Sequence, residues 1–323
     1  MQKVRVAVIG AGAFGRNHMR VLHESPDAEL AAIVDTEDSR ASESAAMYDC
    51  ASFTDFRRLS GKVDAAVVAV PTSAHADVGC SLLEAGIDVL VEKPIAADLA
   101  GANRLIAAAE AHGRILQVGH LERFNPAVQA VQRKVTLPLF FEIHRMSLFS
   151  PRSLDVDVVL DLMIHDIDVV LALTGLEPEE IRAAGIRILS EKVDIANVRL
   201  AFPGGCVANL TASRVSTEKI RKIRLFQPNQ YVSLDYQRQD AAAFTVLPDR
   251  QIGFDSFEVV KGEPLRLEID SFLECVRTRS EPLVTGRDAA KALAVALAIL
   301  AKIEEHGAVV ANTLDQYRAT PQT

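Results

Sequence analysis

The stretch Val4-Arg-Val-Ala-Val-Ile-Gly10-Ala-Gly12-Ala-Phe-Gly15 decides the fold. A short run rich in Val and Ile leads directly into Gly-x-Gly-x-x-Gly and then into a helix-length amphipathic segment at 14–24. That order is the strand, turn and helix of a nucleotide-binding half. The three glycines serve separate purposes. Gly10 permits the tight turn, Gly12 lets the backbone approach a pyrophosphate, and Gly15 lets the helix lie against the strand. The helix start adds unbonded N–H groups and a partial positive charge. Twenty positions after Gly15, Asp35 closes the second strand. A carboxylate there accepts hydrogen bonds from an adenine ribose and repels a 2′-phosphate. NAD is favoured, and Arg40 leaves NADP open. The cofactor contacts expected here are Gly10, Gly12, Ala13, Phe14, Gly15, Asp35 and Arg40. The plain alternative is a tight strand-to-helix turn followed by an ordinary loop acid.

Outward from this stretch, strands are predicted over 4–9, 30–34, 63–70, 89–91 and 115–118. Helices are predicted over 14–24, 75–85 and 99–112. Apolar strands alternating with helices give an N-terminal Rossmann domain with a doubly wound parallel sheet, assigned to residues 1–120. Beyond it the rhythm changes to closely spaced strands at 140–148, 182–189, 197–202, 206–213, 220–226 and 231–235, with Pro203-Gly204-Gly205 marking one hairpin. Helices are predicted at 156–173 and 287–306. The second domain, 121–323, is therefore expected to be α/β with a mostly antiparallel sheet.

The chain has 323 residues, enough for two cores. Its 35 Lys and Arg against 43 Asp and Glu give a formal charge of −8 with no basic stripe, which argues against nucleic acid as a partner. Hydrophobic residues at 49% and charged residues at 24% suit a folded globular protein. The longest apolar stretches, such as 289–301, are broken by Lys or fall short of the roughly 18 to 20 residues that cross a bilayer. No signal-peptide pattern opens the chain, so a cytoplasmic location without a membrane partner is expected. Cys50, Cys80, Cys206 and Cys275 are widely spaced and read as reduced, mostly buried thiols.

Two segments carry candidate chemistry. Val91-Glu92-Lys93-Pro94 puts a lysine at the carboxyl edge of a parallel sheet, where ligands of doubly wound folds bind. Such an ammonium can hydrogen-bond a substrate hydroxyl and stabilise negative charge developing on its oxygen. A solvated lysine at a strand end is the alternative, and the Lys93-Pro94 bond is a candidate cis peptide. In the helix at 156–173, Asp161, His165 and Asp168 fall at i, i+4 and i+7 on one face. An imidazole there suits proton transfer. A satisfied core or interface histidine is the plainer reading. The set is poor for zinc, and no metal site is expected.

Shorter signals surround these. In Val70-Pro71-Thr72-Ser73-Ala-His75, Thr72 or Ser73 is expected to cap the next helix, while Pro71, Thr72 and His75 face the cofactor edge. Gly119-His-Leu-Glu-Arg123-Phe-Asn125-Pro126 offers Arg123 and Asn125 to polar substrate atoms, or simply starts a helix at Pro126. Arg123, Arg145 and Arg152 are available as bidentate donors to a diphosphate, or as salt-bridge partners.

Together these residues resemble the Gfo/Idh/MocA family, the glucose–fructose oxidoreductase and inositol dehydrogenase group. The resemblance spans nearly the whole chain. It rests on the turn at Gly10 to Gly15, on Glu92-Lys93-Pro94, on Arg123-Phe-Asn125-Pro126, on Asp161-x-x-x-His165 and on Ser213-Arg214. It implies an NAD(P)-dependent dehydrogenase of CH–OH groups whose second domain serves substrate binding and oligomerisation, its large open sheet making homodimer or homotetramer contacts. Lys93 would orient the reactive hydroxyl, His165 would be the general base, and Asp161 would hold substrate or nicotinamide ribose. Glu92 would join the cofactor contacts. The runs at 119–127 and 160–168 look like the branch that oxidises nucleotide sugars such as UDP-N-acetylglucosamine at C3, associated with lipid A synthesis. A dehydrogenase of free sugars or inositol remains the alternative. So does a noncatalytic dinucleotide-sensing regulator, although such a sensor has no evident need for Lys93 and His165.

Overall fold

The computed structural model describes residues 2–149 and 156–319, the side chains of 313–319 aside. In chain order the first elements are β1 (Val4–Ile9), α1 (Ala13–Glu24), β2 (Ala28–Val34), α2 (Asp38–Tyr48), β3 (Ala51–Phe53), β4 (Ala65–Val68), α3 (His75–Glu84), β5 (Asp88–Glu92), α4 (Leu99–His112) and β6 (Leu116–Gly119). The six strands are all parallel, in the order β3-β2-β1-β4-β5-β6. Helices cover such a sheet on both faces, which explains why β4 is buried at every position rather than alternating. The order reverses between β1 and β4, and the crevice at that switch point is where open α/β sheets bind ligands.

The remaining elements are α5 (Pro126–Gln132), β7 (Phe140–Leu148), α6 (Ile164–Thr174), β8 (Glu180–Ile186), β9 (Ile195–Ala201), β10 (Val207–Ser216), β11 (Ile220–Gln227), β12 (Gln230–Asp235), β13 (Asp240–Val246), β14 (Ile252–Ser256), α7 (Pro264–Thr278) and α8 (Gly286–Ala319). Eight strands form a second sheet in the order β14-β13-β12-β11-β7-β10-β9-β8, antiparallel throughout except for β7 with β10. The expected hairpin at Pro203–Gly205 joins β9 to β10.

The chain divides into two compact units: Met1–Phe124 with Gly262–Leu293, and Asn125–Lys261 with Ala294–Thr323. The division at residue 120 read from sequence assigns Gly262–Leu293 to the second domain, whereas these residues join the first. In that unit α7 lies against α1 and β1, and its Ile269, Phe272 and Leu273 share a core with Val6, Val8, Leu22, Ile33, Val67 and Leu90.

The second sheet buries one face through alternating positions such as Phe141, Ile143, Ile223, Leu225, Val232 and Leu234. On its other face five aromatic rings stand in cross-strand register: Phe140 beside Phe226, then Tyr231, Phe244 and Phe254. Successive ring centres are 5.8, 5.0, 5.6 and 5.2 Å apart. Phe226, Phe244 and Phe254 are exposed.

Candidate active site

The glycine turn lies at the β1 end of the switch point. Gly10 adopts φ +99°, and a Cβ there would come within 2.5 Å of the Ala69 carbonyl oxygen. A Cβ on Gly15 would strike the Gly10 carbonyl oxygen at 1.8 Å, so α1 approaches the turn as closely as it does only because that residue is glycine. Gly12 differs: nothing stands within 4 Å of the place its Cβ would occupy. It is also the N-cap of α1, with no side-chain cap and no acid in the first turn. Open space before uncapped N–H groups is what a pyrophosphate requires. These residues therefore fit a dinucleotide.

Asp35 follows β2 and is nearly buried. Its Oδ2 accepts the Ala11 N–H at 2.8 Å and its Oδ1 accepts the Glu37 N–H at 3.0 Å, which ties it to the turn. Each carboxylate oxygen keeps a further lone pair for a ribose hydroxyl. Arg40 is engaged with Glu37 at 2.5 Å and lies 3.7 Å from Asp35. Beside Asp35, Glu37 and Asp38, this end of the crevice is acidic and repels a 2′-phosphate.

At the end of β5 the Lys93-Pro94 bond is cis. The preceding Glu92 is held at both carboxylate oxygens: Oε1 lies 2.7 Å from Nε2 of His18, and Oε2 accepts the Lys93 N–H at 3.2 Å. Burial alone would push the Glu92 carboxyl up, but His18 and Lys93 hold it below its ordinary value. Glu268 of α7 shows the opposite balance, since burial and the Glu92 charge push its carboxyl well above its ordinary value. One site thus holds two acids whose carboxyls are pushed in opposite directions. Glu92, expected among the cofactor contacts, is thus engaged by its own unit.

His75 and its neighbours depart from expectation. Its ring is 1% exposed, with Nδ1 2.9 Å from the Pro94 carbonyl and Nε2 2.9 Å from the Val70 carbonyl. Both nitrogens face backbone, so the side chain holds the lysine turn instead of facing the cofactor edge. Burial lowers its basicity, against the opposing pull of those carbonyls and of Glu92. Neither Thr72 nor Ser73 caps α3. Thr72–Ala74 forms a 3-10 turn after Pro71, and the His75 N–H bonds the Thr72 carbonyl.

In the second unit the helix expected at 156–173 is present with a change of gauge. Val159–Met163 is a π turn, followed by α6 from Ile164. A π turn closes i→i+5 bonds, so Asp161 and His165 are not stacked at strict α spacing. Both are half-buried, while Asp168 is buried. Arg145 is committed elsewhere than to a diphosphate. Its Nε and Nη2 donate to the two oxygens of Asp166 at 2.7 and 2.8 Å, and its guanidinium lies 5.0 Å from the Tyr236 ring centre. This buried fork anchors the residue next to His165. At the other end of the helix Arg214 donates to the carbonyls of Val156 and Val193 and lies 3.5 Å from Asp194. Burial would push the Asp194 carboxyl up, but the N–H groups of Ile188, Leu189 and Ser190 hold it down.

The other expected substrate residues have structural partners. Asn125 caps α5 by accepting the Ala127 N–H at 3.1 Å and donates to the Tyr236 carbonyl at 3.0 Å. Arg123 is nearly buried and donates to the Leu283 carbonyl at 3.3 Å. Arg152 lies outside the described residues. Sequence reasoning missed His18, Glu268 and Asp166. The one available signal for His18 was a polar residue three positions after Gly15, on the face α1 turns inward.

Comparison with known proteins places this geometry. Residues 4–120 match the oxidoreductase family with an NAD-binding Rossmann fold, and residues 142–227 match the GFO/IDH/MocA C-terminal domain. UDP-N-acetylglucosamine 3-dehydrogenase of Acidithiobacillus ferrooxidans is 35% identical over 94% of this chain and 98% of its own length. A solved structure of that protein superimposes with a TM-score of 0.89, at 34% identity over 94% of this chain and 99% of the other. The NAD-dependent scyllo-inositol 2-dehydrogenase of Bacillus subtilis is 28% identical over 92% of this chain and 93% of its own.

Proposed function

Since the chain belongs to the Gfo/Idh/MocA family and is an NAD-dependent oxidoreductase acting on CH–OH groups, we propose that it oxidises the C3 hydroxyl of a UDP-N-acetyl amino sugar, with UDP-N-acetylglucosamine first among candidates. One observation carries this choice: the relative named for that activity aligns with nearly the full length of both chains, at higher identity than the inositol dehydrogenase. Bound NAD supplies the hydride acceptor.

The protein's part is binding, orientation and proton movement. The N–H groups at Gly12, Ala13 and Phe14 hold the pyrophosphate, and Asp35 holds the adenine ribose. Lys93 donates a hydrogen bond to the substrate oxygen and stabilises its growing negative charge. His165, in its neutral form, takes the hydroxyl proton, and Asp161 hydrogen-bonds the sugar or the nicotinamide ribose. Arg123 remains the candidate donor to the diphosphate. We assign the ketone product to diamino-sugar lipid A synthesis in the cytoplasm. We further assign self-association to the second sheet, supported by its exposed aromatic row. Among the described residues no helix is long and apolar enough to cross a membrane.

The test is absorbance at the NADH band with NAD and a panel of UDP-N-acetylglucosamine, its uronic acid, free hexoses and inositols. An aminotransferase is added to draw off an unfavourable ketone. Reduction with UDP-N-acetylglucosamine alone supports the reading, whereas reduction with only inositols or free hexoses replaces it.

A further inference from the structure

The roles above leave His18, Glu92 and Glu268 of the first unit unused, and Glu92 links them: it pairs with His18, its charge acts on Glu268, and it directly precedes Lys93. His18 lies on the inward face of α1 with its side chain 1% exposed. Glu92 ends β5, and Glu268 comes from α7, its backbone carbonyl accepting from Gln117 Nε2 of β6 at 3.1 Å. Polar groups in such a place cost stability unless they are partnered. His18 and Glu92 partner each other at 2.7 Å, and Glu92 passes that constraint to the N–H of Lys93. Gly119 on β6 leaves the room required, because a Cβ there would stand 3.2 Å from Glu92 Oε2. From the far side His75 takes the carbonyl of Pro94. Lys93 therefore follows a residue fixed at both carboxylate oxygens and precedes one fixed at its carbonyl.

A lysine stem is rotamer-rich, so the direction of its ammonium depends on a fixed origin in the backbone. We propose that His18 is a positioning residue for Lys93: by clamping Glu92 it fixes the turn from which the ammonium reaches the substrate oxygen. The inference rests on the role given to Lys93 above. A clamp of this kind changes rate more than binding, because misplacement of a reacting group by about 1 Å costs on the order of 100-fold.

The experiment compares His18→Gln with His18→Asn. Both are polar, but only the glutamine amide reaches the position of Nε2. Each is made alone and in a Lys93→Ala background, and the active sugar of the panel is the substrate. His18→Asn is expected to lower kcat by about 10- to 100-fold, with KM and the NADH dissociation constant within about threefold of wild type. His18→Gln is expected to restore kcat to within about threefold. In the Lys93→Ala background His18→Asn should cost less than about twofold more, since residues that act through one another are not additive. Hydrogen exchange at the Lys93 amide, which needs no substrate, should quicken in His18→Asn and not in His18→Gln. The proposal is overturned if His18→Asn leaves kcat unchanged, or costs the same with and without Lys93, or is not rescued by glutamine. A Lys93→Ala enzyme with the wild-type rate sinks the role of Lys93 itself. An inactive Lys93→Ala with an unaffected His18→Asn sinks only the inference.

Discussion

The Lys93 turn and the His165 helix solve one problem with different materials. Each presents a half-buried polar side chain next in sequence to a buried or nearly buried acid, Glu92 or Asp166. At the helix the acid meets Arg145, which is charged at every working pH and fills both carboxylate oxygens with one planar fork. At the turn the acid meets a histidine, and its charge together with burial raises the carboxyl of Glu268. The difference teaches that one support is a single bidentate fork, whereas the other sets two carboxyls on opposite sides of their ordinary proton affinity.

The comparison breaks first at the presented groups. Lys93→Ala and His165→Asn should each lower kcat by about 10²- to 10⁴-fold with little change in NAD affinity, read by steady-state kinetics and NADH titration. A wild-type rate in either variant removes that residue from the chemistry. The next effect falls on stability. Asp166→Ala strands a buried guanidinium and should cost about 3–5 kcal/mol, measured by urea unfolding. A loss under about 1 kcal/mol would place that pair with exposed ion pairs.

The smallest effect sharpens the contrast. Glu268 holds its proton above its ordinary value of 4.5, so the folded chain binds more protons than the unfolded chain as pH rises past that point. Its contribution to stability is complete below the ordinary value and declines until pH passes the raised folded value. Glu92 runs the other way, with a contribution present above its ordinary value and lost as pH falls toward its lowered one. His18 from α1 and Lys93 just after β5 act on Glu92, Glu92 acts on Glu268, Gln117 from β6 donates to the Glu268 carbonyl, and the turn Leu121–Phe124, which carries Glu122 and Arg123, packs against α7. Glu268→Gln should therefore flatten the decline in melting temperature expected of wild type as pH rises above the ordinary value of 4.5. Parallel profiles for the two proteins would mean that Glu268 ionises normally.

Much of this is legible in the sequence because it follows from local rules. Hydrophobic runs with β-branched residues mark both sheets, and the glycine turn marks the nucleotide crevice. Lys93 and His165 stand out as polar residues at element ends or on apolar faces. What escapes depends on distance or on gauge. Nothing near 264–278 tells which sheet a helix will cover, so α7 cannot be placed with the first unit from its own residues. Arg145 and Asp166 lie 21 residues apart, on a strand and a helix, and only the fold pairs them. No Pro or Gly marks the π turn at Val159–Met163, so the spacing of Asp161 and His165 reads as uniform. β13 escapes because its buried positions, Ala241 and Ala243, are small, and β14 because an edge strand buries little.

The aromatic row on the second sheet has an optical consequence. The chain contains no Trp and only four Tyr, so no indole absorbs the light that phenol rings emit. One of the four, Tyr231, sits as a rung between Phe226 and Phe244, at 5.0 and 5.6 Å. If that face closes against a second copy, as proposed above, the contact strips water from the ring and dilution restores it. Tyrosine emission followed against protein concentration should thus trace assembly without a label, and Tyr231→Phe should silence the signal while leaving the rung in place.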